Sequence, residues 1–273
     1  MSPIAKYDAN AEPLHALLNK VPQITFFFWV IKIMATTVGE TAADFLATTL
    51  KIGLRNTTYL MSVLLIGALV YQFRQKRYIP WIYWLAVVLI SVVGTMITDT
   101  LVDKLGVPLT TTTAIFGAAL AATFAVWYAS ERTLSIHTIV TTRREVFYWL
   151  AILFTFALGT AAGDLLAEGL KLGYTRSAVL FAGLIGVVTL GYYVFRLNAV
   201  LAFWVAYILT RPLGASMGDL LSQPIANGGL GLGTLVTSGI FLTIIAALVA
   251  YFTLTKADVI EASKANAASK AAT

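Results

Sequence analysis

Four copies of one spaced pattern constrain this chain more than any other feature. Phe28-Trp29, Tyr83-Trp84, Tyr148-Trp149 and Phe203-Trp204 are each followed, ten residues after the Trp, by Gly39, Gly94, Gly159 or Gly214. Five residues further on stand Asp44, Asp99, Asp164 and Asp219. The copies are 55 residues apart within each half of the chain, and the halves are offset by 120 residues. A fixed period of this kind marks an architecture of repeated units, none of which can bury its apolar face alone. Leu50-Lys51-Ile52-Gly53 recurs as Leu170-Lys171-Leu172-Gly173, so the chain reads as a two-unit half, duplicated.

Composition says where such units reside. Of 273 residues, 59% are hydrophobic and 12% charged, with a mean hydropathy of +0.82. Soluble domains run nearer about 45–50% apolar and 25% charged. A soluble fold of this size could not hide so much apolar surface, so an integral membrane protein is expected. Apolar runs long enough to cross a bilayer, about 20 residues each, lie near 24–46, 58–73, 80–102, 109–129, 146–167, 177–195, 199–221 and 232–254. The expected fold is all-α and polytopic, with eight transmembrane helices built from four two-helix repeats. Two spans per repeat make every motif span run the same way, so the repeats are parallel rather than inverted. Because the motif spans 1, 3, 5 and 7 hold nearly all the intramembrane charge, they should form an inner ring with the others around it.

The segments follow from these spans: 1–22 as a cytoplasmic N-terminal stretch, 23–135 and 136–255 as the membrane halves, 256–273 as a disordered cytoplasmic tail. Residues 1–20 hold Asp8, Glu12 and Pro13 and no apolar core, so no signal peptide is expected. Of 19 lysines and arginines, 12 fall on the side of both termini and five on the other, while Lys32 and Arg211 lie inside spans. That bias predicts cytoplasmic termini in a bacterial inner membrane. The chain has no cysteine, which excludes disulfides, thiolate metal sites and cysteine nucleophiles.

Lys20-Val21-Pro22, the run Phe28-Trp29-Val30-Ile31-Lys32 and the stretch from Thr36-Thr37 through Gly39-Glu40 to Asp44-Phe45 carry a resemblance. Over about residues 20–255 the chain resembles a family of bacterial proteins defined by such a repeat and labelled uncharacterised membrane-anchored proteins. The resemblance implies the four-fold repeat and the membrane location, and it brings no agreed activity. Function has to come from the residues.

Each Trp stands near the start of its span, which suits either a headgroup-level anchor or an aromatic ring around the cytoplasmic mouth. Each motif glycine suits close helix approach or a hinge. The aspartates lie roughly 22 Å further along a helix rising 1.5 Å per residue, all at one level towards the other end. A carboxylate facing lipid costs about 2.5–3.5 kcal/mol on insertion scales, so the four should face the interior or water. They either cap helix ends or form a cluster that binds cations or protons. One turn away on the same face are Glu40 for Asp44, Asp103 for Asp99, Glu168 for Asp164 and Gln223 for Asp219. Lys32 and Arg211 occupy different repeat positions; the expected partners are Glu40 for Lys32 and an aspartate for Arg211. Thr36, Thr37, Thr41, Ser91, Thr95, Thr98, Thr160 and Ser216 offer neutral oxygens in the same region, or satisfy carbonyls of their own helices.

These residues point to a transporter, with Asp44, Asp99, Asp164, Asp219 and Glu40 binding a cation or proton. Lys32, Arg211 and Glu168 would be charge partners. A directly bound metal would fall to Asp44, Glu40 and Asp164. Oxygen-only ligation suits Mg²⁺, Ca²⁺ or Mn²⁺, and no cofactor beyond such a cation is expected. The alternatives are a transporter of a small organic cation or solute, and a non-transporting membrane scaffold. No nucleophile–base arrangement or nucleotide motif is visible, so neither an enzyme nor a nucleic-acid partner is expected. Lipid and the transported species are the expected partners.

Overall fold

The computed structural model describes residues 19–256. Eight helices long and apolar enough to cross a membrane follow one another. They are α1 (Phe26–Asp44), α2 (Leu54–Arg74), α3 (Pro80–Asp99), α4 (Leu109–Glu131), α5 (Thr142–Asp164), α6 (Tyr174–Tyr193), α7 (Ala199–Ser222) and α8 (Thr234–Thr255). The expected tail lies outside the described residues save for Lys256, as do residues 1–18 of the expected N-terminal stretch.

Local signals start the inner helices. Thr25 caps α1 by accepting from the Phe28 N–H, Thr141 caps α5 through Arg144, and Asn198 caps α7 through Val200 and Leu201. Pro80 opens α3 at its first turn, where a missing N–H costs nothing. At the far end α1, α3 and α5 each widen into one π-helical turn, Phe45–Thr49, Thr100–Lys104 and Leu165–Gly169. Bonds from Leu50 N–H to Phe45 O and from Leu170 N–H to Leu165 O, at 2.9 and 2.8 Å, close two of these wider turns. Gly53, Gly173 and Gly233, at φ of 78–80°, then turn the chain into α2, α6 and α8.

The inner ring is α1, α3, α5 and α7, each packed on the next, with α7 closing on α1. The outer helices sit one step round. α2 packs on α3, α4 on α5, α6 on α7, and α8 on α1. Each repeat thus covers its neighbour, which is why no repeat has a core of its own. Burial follows: 56–67% of the most apolar stretch is buried in the inner helices, against 11–28% in the outer ones. Exposed Leu64, Ile66, Val179, Val187 and Leu254 give the outer surface its apolar character.

The motif glycines allow this ring. A methyl group added at Gly39 would collide with Ser91, at Gly94 with Phe156, at Gly159 with Arg211 and at Gly214 with Thr36. Each obstructing residue stands three before the motif glycine of the next repeat, so one contact is made four times around a closed cycle. The glycines serve close approach, as small residues do between apolar helices. At Gly94 the added carbon would lie 2.7 Å from the Phe156 Cβ and 3.2 Å from the Ala157 nitrogen. Neither atom can swing away. Gly94→Ala should therefore destabilise the protein by about 1–3 kcal/mol. Gly183→Ala, in α6 with open space around it, should be neutral or stabilise by up to about 1 kcal/mol. Thermal unfolding of both variants in detergent measures the contrast.

Candidate functional site

Side chains on the ring axis form four levels, set by their distance in sequence from the motif glycine. Ten and eleven residues before it stand the aromatic dipeptides. Phe28 packs on Trp84, Tyr83 on Trp149, Tyr148 on Trp204 and Phe203 on Trp29, with ring centroids 5.6, 5.5, 6.2 and 5.7 Å apart. Each repeat thus packs its first aromatic, tilted, against the Trp of the next, and the cycle closes. The hydroxyls of Tyr83 and Tyr148 share a 2.5 Å hydrogen bond. Trp84, Trp149 and Trp204 are almost fully buried. Trp29 is half-buried, and together these rings form a closed collar around the inner helices.

Beneath the collar runs the chain from Asn19 to Thr25. Lys20 donates to Glu145 Oε2 at 2.6 Å and to the Phe73 carbonyl at 3.1 Å, and Gln72 donates to Glu145 Oε1 at 3.1 Å. Backbone bonds join Lys20 to Ile139 and Tyr78 to Asn19. Asn19 to Pro22 are buried and pack on the helical body. A cavity of about 10 Å³ between Pro22, Phe28, Ile31, Tyr78 and Trp84 has room for no more than one water.

Seven residues before the glycine lies Lys32, wholly buried. Its ammonium sits 4.1 Å from the ring centre of Tyr207 and 4.3 Å from that of Phe156. Among the described residues Lys32 Nζ has no hydrogen-bond partner. The expected Lys32–Glu40 pair is not formed. Glu40 instead pairs with Arg211, whose Nη2 lies 2.9 Å from Glu40 Oε2. The same nitrogen meets Thr160 Oγ1 at 2.7 Å and also Thr95 Oγ1, while Nη1 reaches the Thr36 carbonyl at 3.4 Å. The expectation of an aspartate for Arg211 is corrected too. Glu40 lies two turns beyond Lys32 on α1, and Arg211 reaches it from the neighbouring α7.

Asp44, Asp99 and Asp164 are the last residues of α1, α3 and α5, where the π-helical turns begin, and Asp219 lies three residues before the end of α7. Glu40 interacts electrostatically with all four, and Asp44 and Asp164 with the other motif aspartates. The first three are half-buried and Asp219 is buried. Among the described residues no ion pair engages these four carboxylates, and no side-chain hydrogen bond does. They do not cap helix ends. Glu168 is exposed and accepts from the Tyr174 hydroxyl at 3.1 Å. Among the described residues no three acidic or histidine side chains are grouped to hold a metal ion, so Asp44, Glu40 and Asp164 do not converge on one point.

The hydroxyls divide. Thr37 and Thr98 donate to carbonyls, and Thr41 meets Ser238 at 2.7 Å. Thr95 and Thr160 hold Arg211. Their role was readable once the repeats are aligned by their glycines, because Glu40, Thr95 and Thr160 each directly follow one. The Lys20–Glu145–Gln72 cluster was missed because Lys20 reads as one more basic residue at a membrane edge. Glu145, one turn before Tyr148, was the available signal.

A parallel ring of four motif helices, apolar outside and ionisable within, defines a polytopic membrane repeat protein. The chain belongs to the family described as Repeat of Unknown Function (DUF347), which it matches at residues 27–78, 82–133, 147–198 and 202–258. No curated protein and no solved structure matches it.

Lys32 provides a first test of whether the core charges serve stability. A buried cation without a counter-ion keeps a desolvation cost that an apolar side chain of similar length avoids. Lys32→Met should raise stability by about 1 kcal/mol or more. A lowered unfolding midpoint in a detergent melt would mean that the ammonium is a structural element.

Proposed function

We propose that this protein is a membrane transporter in which the repeat aspartates accept a cation from one side of the membrane and exchange it for protons. The observation that carries this reading is that Asp44, Asp99, Asp164 and Asp219 all lie within electrostatic range of Glu40, while among the described residues no ion pair engages the four aspartates and the one guanidinium that acts on them, that of Arg211 on Asp164, is bonded to Glu40. Clustered carboxylates without fixed counter-charges need a cation or shared protons. Oxygen ligands favour a hard divalent ion such as Mg²⁺, Ca²⁺ or Mn²⁺. Since the carboxylates are not gathered for direct ligation, the ion is taken up with much of its water, as Mg²⁺ in particular retains it.

With 12 basic residues against five, the termini lie in the cytoplasm and the aspartates face outward. The setting is the inner membrane of a bacterium. No chemical reaction is part of this reading. An organic cation is a poorer fit, because the aromatic faces of Phe156 and Tyr207 are already filled by Lys32. The tight glycine-lined core favours one competitor, a scaffold that carries nothing.

Proteoliposomes separate the two. Wild-type protein should take up at least one of Mg²⁺, Ca²⁺ and Mn²⁺ with opposite proton movement, followed by a trapped pH dye. Asp99→Asn should lower that uptake at least roughly tenfold, equivalent to about 1.4 kcal/mol, and leave thermal stability equal or higher, since one like charge is removed. Wild-type vesicles no leakier than empty ones to all three ions would leave the scaffold standing.

A further inference from the structure

The ring axis is crossed at one level by a single side chain. Arg211 stands three residues before its motif glycine, where the other repeats have Thr36, Ser91 and Phe156. From there its guanidinium meets the residue after the motif glycine in each of the three other repeats, Glu40, Thr95 and Thr160. The fourth residue of that set, Ala215, is buried and brings no polar group. All four inner helices are therefore tied at this level through Arg211. Gly159 makes the room, since any side chain there would strike the Arg211 stem. Among the described residues Glu40 is the one carboxylate in an ion pair with Arg211, and it is also the group all four aspartates sense; Arg211 acts on Asp164 as well, without a direct bond.

We propose that the Arg211–Glu40 pair is the gate of an axial path through the ring. A cation that passes from the aspartates to Glu40 competes with the guanidinium for the carboxylate. Losing that charge-assisted bond, the strongest at this level, frees Arg211 and unties the four helices together. The tied and the untied ring would be two arrangements of one packed element, the kind of pair through which small local changes become switches. Its purpose rests on the transport reading, but the closure is measurable without any transported ion.

The absence of cysteine makes the measurement clean. Ala215 is 1% exposed, so a water-soluble thiol reagent should react slowly with an Ala215→Cys variant of the full-length protein in detergent. Adding Arg211→Gln or Glu40→Gln should raise that rate on the order of a hundredfold, as loss of one partner of a buried pair implies. Ala178→Cys, buried in a separate apolar cluster with Phe181 and Leu213 that makes no bond to Arg211, should stay as slow as before in the same backgrounds. No acceleration at 215 overturns the gate, and equal acceleration at 178 overturns it as well, by showing general loosening. Should Arg211→Gln fail to fold, Glu40→Gln decides alone, because its amide fills the same volume and still accepts a hydrogen bond. A gate that opens in vesicles that carry none of the three cations would keep this inference and remove the transport reading.

Discussion

The close approach of four inner helices at their motif glycines is the constraint on which the remaining structure depends. In lipid there is little hydrophobic force to drive one apolar helix against another, so association rests on dispersion contacts and buried hydrogen bonds, both of short range. Gly39, Gly94, Gly159 and Gly214 let each helix meet the residue three before the glycine on its neighbour. With the spacing set there, the dipeptides ten residues away are brought into ring contact and close the collar. The aspartates five residues the other way are brought within electrostatic range of one another. One contact, repeated four times, fixes the positions of both ends.

The frame is four-fold in its motif residues and not in its charges. Lys32, Glu40, Arg211 and Glu145 each occur in one repeat only, at positions where the other repeats carry apolar or hydroxyl residues. A ring of identical units would present the same group four times around its axis and could close only symmetrically. Placing one arginine at a position that elsewhere is Thr, Ser or Phe converts the axis into an asymmetric lock, with three neighbours supplying acceptors. Hydroxyls suffice for two of them because a guanidinium has five donors in fixed directions.

The balance of buried charge in the middle of the ring is unusual. Arg211 has Glu40, but among the described residues Lys32 has the faces of Phe156 and Tyr207 alone. Cation–π contact offsets a part of the desolvation of an ammonium and leaves its three donors unused. A frame selected for stability alone would put an apolar residue there, as the repeats do with Val87 and Ile152. Ionisable groups kept at such cost inside apolar helices are candidates for function before folding.

How much of this was legible beforehand depends on the range of the forces involved. Eight helices, their parallel sense and the inner position of the motif spans were all determined by the sequence, because a bilayer penalises each misplaced charge and unpaired backbone group independently of its neighbours. Those penalties add along the chain and can be read residue by residue. Asp44, Asp99, Asp164 and Asp219 sharing one level was equally a matter of counting along straight helices. Which helix lies next to which was not. Glu40 and Arg211 are 171 residues apart, and Lys32, a few residues from Glu40 on the same helix, seemed its natural partner until α7 was packed against α1. Only the tertiary structure could choose between them, because a hydrogen bond is decided within a few tenths of an ångström, and that precision comes from how the glycines let neighbouring helices settle.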